Sequence, residues 1–238
     1  MYTHIHRKDG EILHTMIQAN NLSFSYGKNE IIRDVSFRVS GGECLVIAGS
    51  NGTGKSTLLS VLADIVKPSG GSVKTEGRIG YVPQGSALLE DATVEENLRF
   101  FAKLAKSSLP DTLPFSVKDY KHKKASSLSG GMKMQVSIAC ALMGNPSILL
   151  LDEPCASLDI TFREEMASLV AQWKKEGKAV IYVGHDPAEF YPFYDSILFL
   201  DARPTVHTRS ELDEHAGTAE AFTALYKTIL SHNKGDTQ

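Results

Sequence analysis

The strongest constraint on this chain is a continuous apolar run, Cys44-Leu45-Val46-Ile47-Ala48, that leads into a glycine-rich loop and then a helical pattern. An apolar run bounded by glycines predicts a strand covered on both faces, as in a parallel sheet. The loop, Gly49-Ser50-Asn51-Gly52-Thr53-Gly54-Lys55-Ser56, fits GxxxxGK[ST]. Its glycines let the backbone wrap a phosphate, its N–H groups point inward, and the following helix adds the positive end of its dipole. Lys55 is placed to reach β- and γ-phosphates, Ser56 to ligate Mg²⁺, and Thr57 follows them into the helix.

The rest of the chain supports the same architecture. Ile17, Ala19, Leu22 and Phe24 alternate as in a strand, as do Val35 to Val39, and both precede the loop. Beyond it, Leu58, Leu59, Leu62 and Ile65 form a helical stripe stopped by Pro68 and Gly70-Gly71. Residues 79–82, 148–151, 179–183 and 197–200 are apolar runs of strand length, and helical patterns separate several of them. Strands alternating with helices imply a mainly parallel sheet flanked by helices. The fold class is therefore α/β, built around a phosphate loop.

Thr93 and Glu96 form a capping box that starts a helix carrying Leu98, Phe101, Ala102 and Ala105. Residues 107–127 are a polar connector whose Lys118, Lys121, Lys123 and Lys124 read as a solvated surface. The uncharged stretch Met134–Leu151 has the length of a marginal membrane span. Gly144-Asn145-Pro146 divides it, so it predicts a helix end, a turn and a buried strand.

Two further features carry chemistry. Asp152-Glu153 follows the apolar run 148–151, which places both carboxylates at the end of a parallel strand, where open α/β sheets bind ligands. Asp152 is the candidate for the Mg²⁺ shell and Glu153 for orienting or deprotonating an attacking water. Leu128-Ser129-Gly130-Gly131-Met132 opens another helix, with Ser129 as N-cap and the two glycines exposing backbone N–H groups. One chain then holds two anion-binding helix ends, which points to a sandwich of two chains around each nucleotide.

Taken together, these residues resemble the nucleotide-binding subunit of an ATP-binding cassette (ABC) transporter, over roughly Ile17 to Leu200. The resemblance implies a P-loop NTPase cassette whose mainly parallel sheet is joined by an N-terminal antiparallel β part and a small helical subdomain, with ATP and Mg²⁺ as ligands and ATP hydrolysis as the activity. It implies that Ser129, Gly130 and Gly131 act on the nucleotide of the opposite subunit. Gln84, in Tyr81-Val82-Pro83-Gln84, matches the loop glutamine that touches Mg²⁺ and senses the membrane partner. His185 matches the switch histidine that contacts the γ-phosphate. Asp159, in Ala156-Ser157-Leu158-Asp159, matches the loop that signals across the dimer, and Tyr26, twenty-three residues before Gly49, matches the adenine-stacking aromatic.

LSGGMK and Thr93-Val94-Glu95-Glu96-Asn97-Leu98 are similar to ABC exporters, which usually carry arginine where this chain has Gln135. The expected partners are an identical or different second cassette and separate transmembrane permease subunits, placing the chain peripherally on the cytoplasmic face of the cell membrane. The expected division is an extension at 1–15, an ATPase domain at 16–203 with a helical subdomain at 85–143, and a tail at 204–238.

Composition excludes other classes. In 238 residues, 42% are hydrophobic and 22% charged, which rules out disorder. A net charge of −3 argues against nucleic acid as partner. Cys44, Cys140 and Cys155 are too few and too scattered for a disulfide framework or a metal motif, and residues 1–15 lack the apolar core of a secretory signal. Two other readings remain: a non-transport cytosolic ABC ATPase such as an assembly factor, and a module that binds ATP without turnover. Intact Glu153 and His185 argue against the second.

Overall fold

The computed structural model describes residues 6–8, 11–156, 158–216 and 218–235. Parts of the N-terminal extension, Ser157 and the end of the tail lie outside these residues. Strands β1 (His6–Lys8) and β2 (Glu11–Leu13) pair antiparallel. Two long strands follow, β3 (Thr15–Tyr26) and β4 (Asn29–Ser40), then β5 (Cys44–Ala48) and helix α1 (Lys55–Leu62). Next come β6 (Gly70–Thr75), β7 (Ile79–Val82), α2 (Val94–Leu104), α3 (Gly130–Ala141), β8 (Ile148–Asp152), α4 (Ile160–Lys175) and β9 (Ala179–Val183). The chain continues through α5 (Pro187–Phe190), β10 (Ser196–Phe199), β11 (Thr205–Thr208), α6 (Arg209–Asp213) and α7 (Ala219–Gly235).

A six-stranded sheet in the order β11-β10-β5-β9-β8-β7 carries the site, with every neighbour parallel except the edge strand β11. A second, antiparallel sheet runs β4-β3-β6. Side chains alternate across a strand, so each apolar run in the parallel sheet splits between two layers. Cys44, Val46, Leu149, Leu151, Val180 and Tyr182 face one core, shared with Phe162, Met166 and Trp173 of α4. Leu45, Ile47, Ile148, Leu150, Ile181 and Val183 face the other, shared with the antiparallel sheet and with Leu58 and Leu59 of α1. A third cluster joins α2, α3 and the 107–127 connector through Leu98, Val117, Ala125 and Val136.

Three expectations change. Ile65 leaves the α1 stripe and is 62% exposed, because the helix ends at Leu62 and Asp64 turns the chain at φ 58°. Residues 70–75, anticipated only as a helix stop, form β6 and complete the antiparallel sheet against β3. The segment expected as a tail after 203 packs on the cassette: β11 pairs with β10, and Leu212, Ala216, Phe222 and Tyr226 are buried in the first core.

The connector, the lysine cluster and the 134–151 stretch fold as expected. Val117 and Ala125 anchor two short 3₁₀ turns in the connector, and all four lysines are exposed. α3 gives way at Gly144 and Asn145 to the buried β8. Among the described residues no helix is long and apolar enough to cross a membrane.

Candidate functional site

Because β5, β7, β8 and β9 are parallel neighbours, their carboxyl ends lie along one edge of the sheet. In register, Val82 stands beside Leu151, Asp152 beside Val183, and Val183 beside Ile47. The residues that follow these strands are Gly49, Gln84, Glu153 and His185. Topology alone therefore gathers four segments that are far apart in sequence.

The phosphate loop closes tightly. Gly54 takes φ 93° as the residue before α1, and a Cβ there would lie 2.7 Å from Ile31 Cγ2, so only glycine fits. A Cβ on Gly49 would lie 2.6 Å from the Leu200 carbonyl oxygen. Lys55 is buried, and its ammonium donates to the Gly49 and Ser50 carbonyl oxygens at 3.0 Å each. Burial lowers its pKa, with Glu153 and Asp152 opposing that shift. Asn51, Gly52, Gly54, Lys55, Ser56, Thr57, Gln84 and Glu153 line one cleft of about 390 Å³.

Asp152 lies beneath that cleft at 1% exposure, and its Oδ1 has no hydrogen-bond partner. Burial raises the pKa of this carboxyl, and Glu153 adds to the rise. The Ser56 hydroxyl, Lys55 and the Gln84 backbone N–H act in the other direction. An unmet buried carboxylate oxygen beside a serine hydroxyl and a glutamine is a hard oxygen donor set of the kind that completes a Mg²⁺ shell together with substrate phosphates. The residues present fit that ion. Glu153 holds φ 50°, an uncommon conformation for a non-glycine residue, with its N–H bonded to Val183 O at 3.2 Å. The Gln84 Nε2 donates to its Oε2 at 3.3 Å.

Other expected residues stand apart from this cleft. Ser129 caps α3, accepting from Met132 N–H at 3.3 Å, and both Ser129 and Gly130 are exposed. Asp159 caps α4 through Phe162 N–H at 2.9 Å. Tyr26 is 58% exposed, edge-on to Phe24 at 4.8 Å. His185 is exposed at the end of β9. Gln135 has a role that an arginine cannot take: its Oε1 accepts from the Tyr120 hydroxyl at 2.7 Å, tying the connector to α3. Cys155 is buried filler, its thiol pushed up to about 11 by that burial.

Sequence reasoning missed Asn97 and Arg163. Asn97 is fully buried and bonds both backbone groups of Leu89 and the carbonyl of Thr93. A polar residue inside the apolar stripe of α2 was the available signal. Arg163 pairs with Asp186 at 2.8 Å, a contact between distant segments with no local signature.

A phosphate loop after a buried strand, a carboxylate pair at the end of a strand two places away in the same parallel sheet and a capped Gly-Gly helix end define an NTPase cassette. The family model for ABC transporters matches residues 32–156. An uncharacterized ABC transporter ATP-binding protein of Methanocaldococcus jannaschii is 31% identical over 80% of this chain and 76% of its own length. The taurine import ATP-binding protein of Roseobacter denitrificans is 34% identical, covering 80% and 79%. The linearmycin resistance ATP-binding protein of Bacillus subtilis is 32% identical, covering 78% and 66%. A solved dimeric ATP-binding cassette in a post-hydrolysis state, bound to ADP and Pi, superposes with a TM-score of 0.67 and 26% identity over 80% of this chain and 98% of that one. The chain belongs to the ABC transporter family and carries its ATPase cassette.

Proposed function

We propose that this chain hydrolyses ATP in a site completed by a second cassette and that the cycle drives outward transport through a separate membrane subunit at the cytoplasmic face. The observation that carries the reading is the single cleft that brings Asn51, Gly52 and the loop residues 54–57 together with Gln84 and Glu153 over the unmet Asp152 oxygen. The loop amides and Lys55 bind the phosphates, and Lys55 exchanges its loop carbonyls for phosphate oxygens. Gln84 and Glu153 hold the attacking water, with Glu153 accepting its proton. Ser56, Gln84 and Asp152 would hold Mg²⁺, which neutralises charge developing on the phosphates. His185 approaches the γ-phosphate, Tyr26 offers a face to adenine, and the partner's Ser129, Gly130 and Gly131 close the site, with Asp159 at the seam.

Outward direction rests on the LSGGMK and TVEENL segments and on the likeness to the linearmycin resistance protein; the taurine import relative marks the opposing possibility. The test of the chemistry is Glu153→Gln, which keeps shape but removes the proton acceptor. ATP should bind and persist while phosphate release falls on the order of 10²–10⁴-fold. Near-normal release would remove Glu153 from this role. Reconstitution in vesicles with the co-purifying membrane protein tests the direction.

A further inference from the structure

The ring of His185 is exposed, and among the described residues no hydrogen bond holds it, so its position depends on the backbone around it. The next residue, Asp186, fixes that backbone twice. Its Oδ1 accepts from Ala188 N–H at 3.1 Å, capping α5, and its Oδ2 accepts from Arg163 Nη1 at 2.8 Å. Arg163 lies in the first turn of α4, one turn beyond the cap Asp159. The same guanidinium reaches Glu189 Oε1 at 3.7 Å, and this carboxylate is buried. The other oxygen of Glu189 accepts from the hydroxyl of Tyr182 at 3.3 Å, on the strand that leads into His185. Arg163, on the helix that Asp159 caps, is thus a fork between two carboxylates, the N-cap Asp186 of α5 and Glu189 within it. It is the one cation that the described residues place against both.

We propose that Arg163 is a positioning residue of the ATPase site: by pinning Asp186 and balancing the buried Glu189, it sets the backbone from which His185 meets the γ-phosphate. The inference rests on the assignment of His185 made above. Binding of ATP does not pass through Arg163, so its loss acts on turnover. A misplacement of about 1 Å at a reacting group can cost about 10²-fold in rate. Lysine keeps the charge but not the planar fork, so it satisfies one carboxylate at a time.

The experiment measures kcat, KM for ATP and thermal melting of the full chain with Arg163→Ala, Arg163→Lys, His185→Ala and the Arg163→Ala/His185→Ala double variant. Arg163→Ala should lower kcat by up to about 10²-fold with KM essentially unchanged. Arg163→Lys should recover part of the loss, and the double variant should turn over no more slowly than His185→Ala alone. Multiplying losses in the double variant, or wild-type kcat in Arg163→Ala beside a slow His185→Ala, would overturn the inference and leave the site reading standing. Wild-type turnover in His185→Ala would overturn both. If Arg163→Ala fails to fold because Glu189 is left unpaired, Asp186→Asn takes its place: the amide still caps α5 and Arg163 still faces Glu189. The same two criteria then decide.

Discussion

Asp152 is a buried carboxylate kept at the expense of the chain's own stability. Its buried oxygen lacks a partner, and burial keeps its carboxyl above the usual range. A group whose folded pKa exceeds its unfolded one contributes most below the unfolded pKa, and that contribution is lost as pH rises through the folded value. At neutral pH the ionised Asp152 therefore lowers the stability of the nucleotide-free chain. Asp152→Asn should raise that stability by on the order of 1 kcal/mol and flatten its decline with pH from the acid range upward. It should also remove the extra melting-temperature rise that Mg²⁺ gives with ATP. Urea midpoints measured across that pH range check the first part. A less stable variant would mean that Asp152 is satisfied without the ion.

At the scale of elements, α2 shows local chemistry that a sequence states outright. Thr93 Oγ1 accepts from Glu96 N–H at 3.2 Å while Glu96 Oε2 accepts from Thr93 N–H at 2.7 Å, closing the capping box. The Thr93 N–H and hydroxyl hold the Glu96 carboxyl below its usual range, so its contribution is present above the unfolded pKa and lost as pH falls through the depressed one. Thr93→Ala should cost about 1 kcal/mol at neutral pH. The difference between wild type and Glu96→Gln should close in acid, as read by denaturation midpoints; a pH-independent difference would rule out the charged cap.

The strands β5, β8 and β9 were equally legible, because burial on both faces writes a continuous apolar run. β6 and β11 were not, since most of their side chains meet solvent and carry no period. For α7 the period is present, at Phe222, Leu225, Tyr226, Ile229 and Leu230, but sequence cannot say which surface it covers. In the site, residues 49–57 were legible because one loop encodes its own geometry. The left-handed turn at Glu153 and the Arg163 fork arise only when distant strands meet.

For the whole molecule, Gly130 is the residue that a single chain does not explain. A Cβ there would meet nothing within 4 Å, and its backbone is not in the left-handed region. Neither packing nor conformation within the chain calls for glycine, whereas the proposed close approach of a phosphate held by a second cassette would. This separates two effects of one substitution. In the isolated chain, Gly130→Asp puts a carboxylate into open space at the positive end of α3, which should raise stability by about 0.3–1 kcal/mol. In the proposed two-chain site the same carboxylate would face the γ-phosphate, where like charges repel. Gly130→Asp should therefore melt at or above wild type, bind ATP normally, and lose most of its hydrolysis. In the Glu153→Gln background, where ATP should hold two chains together, it should also abolish the ATP-dependent doubling of mass seen by light scattering. The isolated subunit can lack the local concentration that membrane partners provide, so the reconstituted complex is the stricter setting. Wild-type turnover by Gly130→Asp in that complex would show that no second surface closes on this helix end.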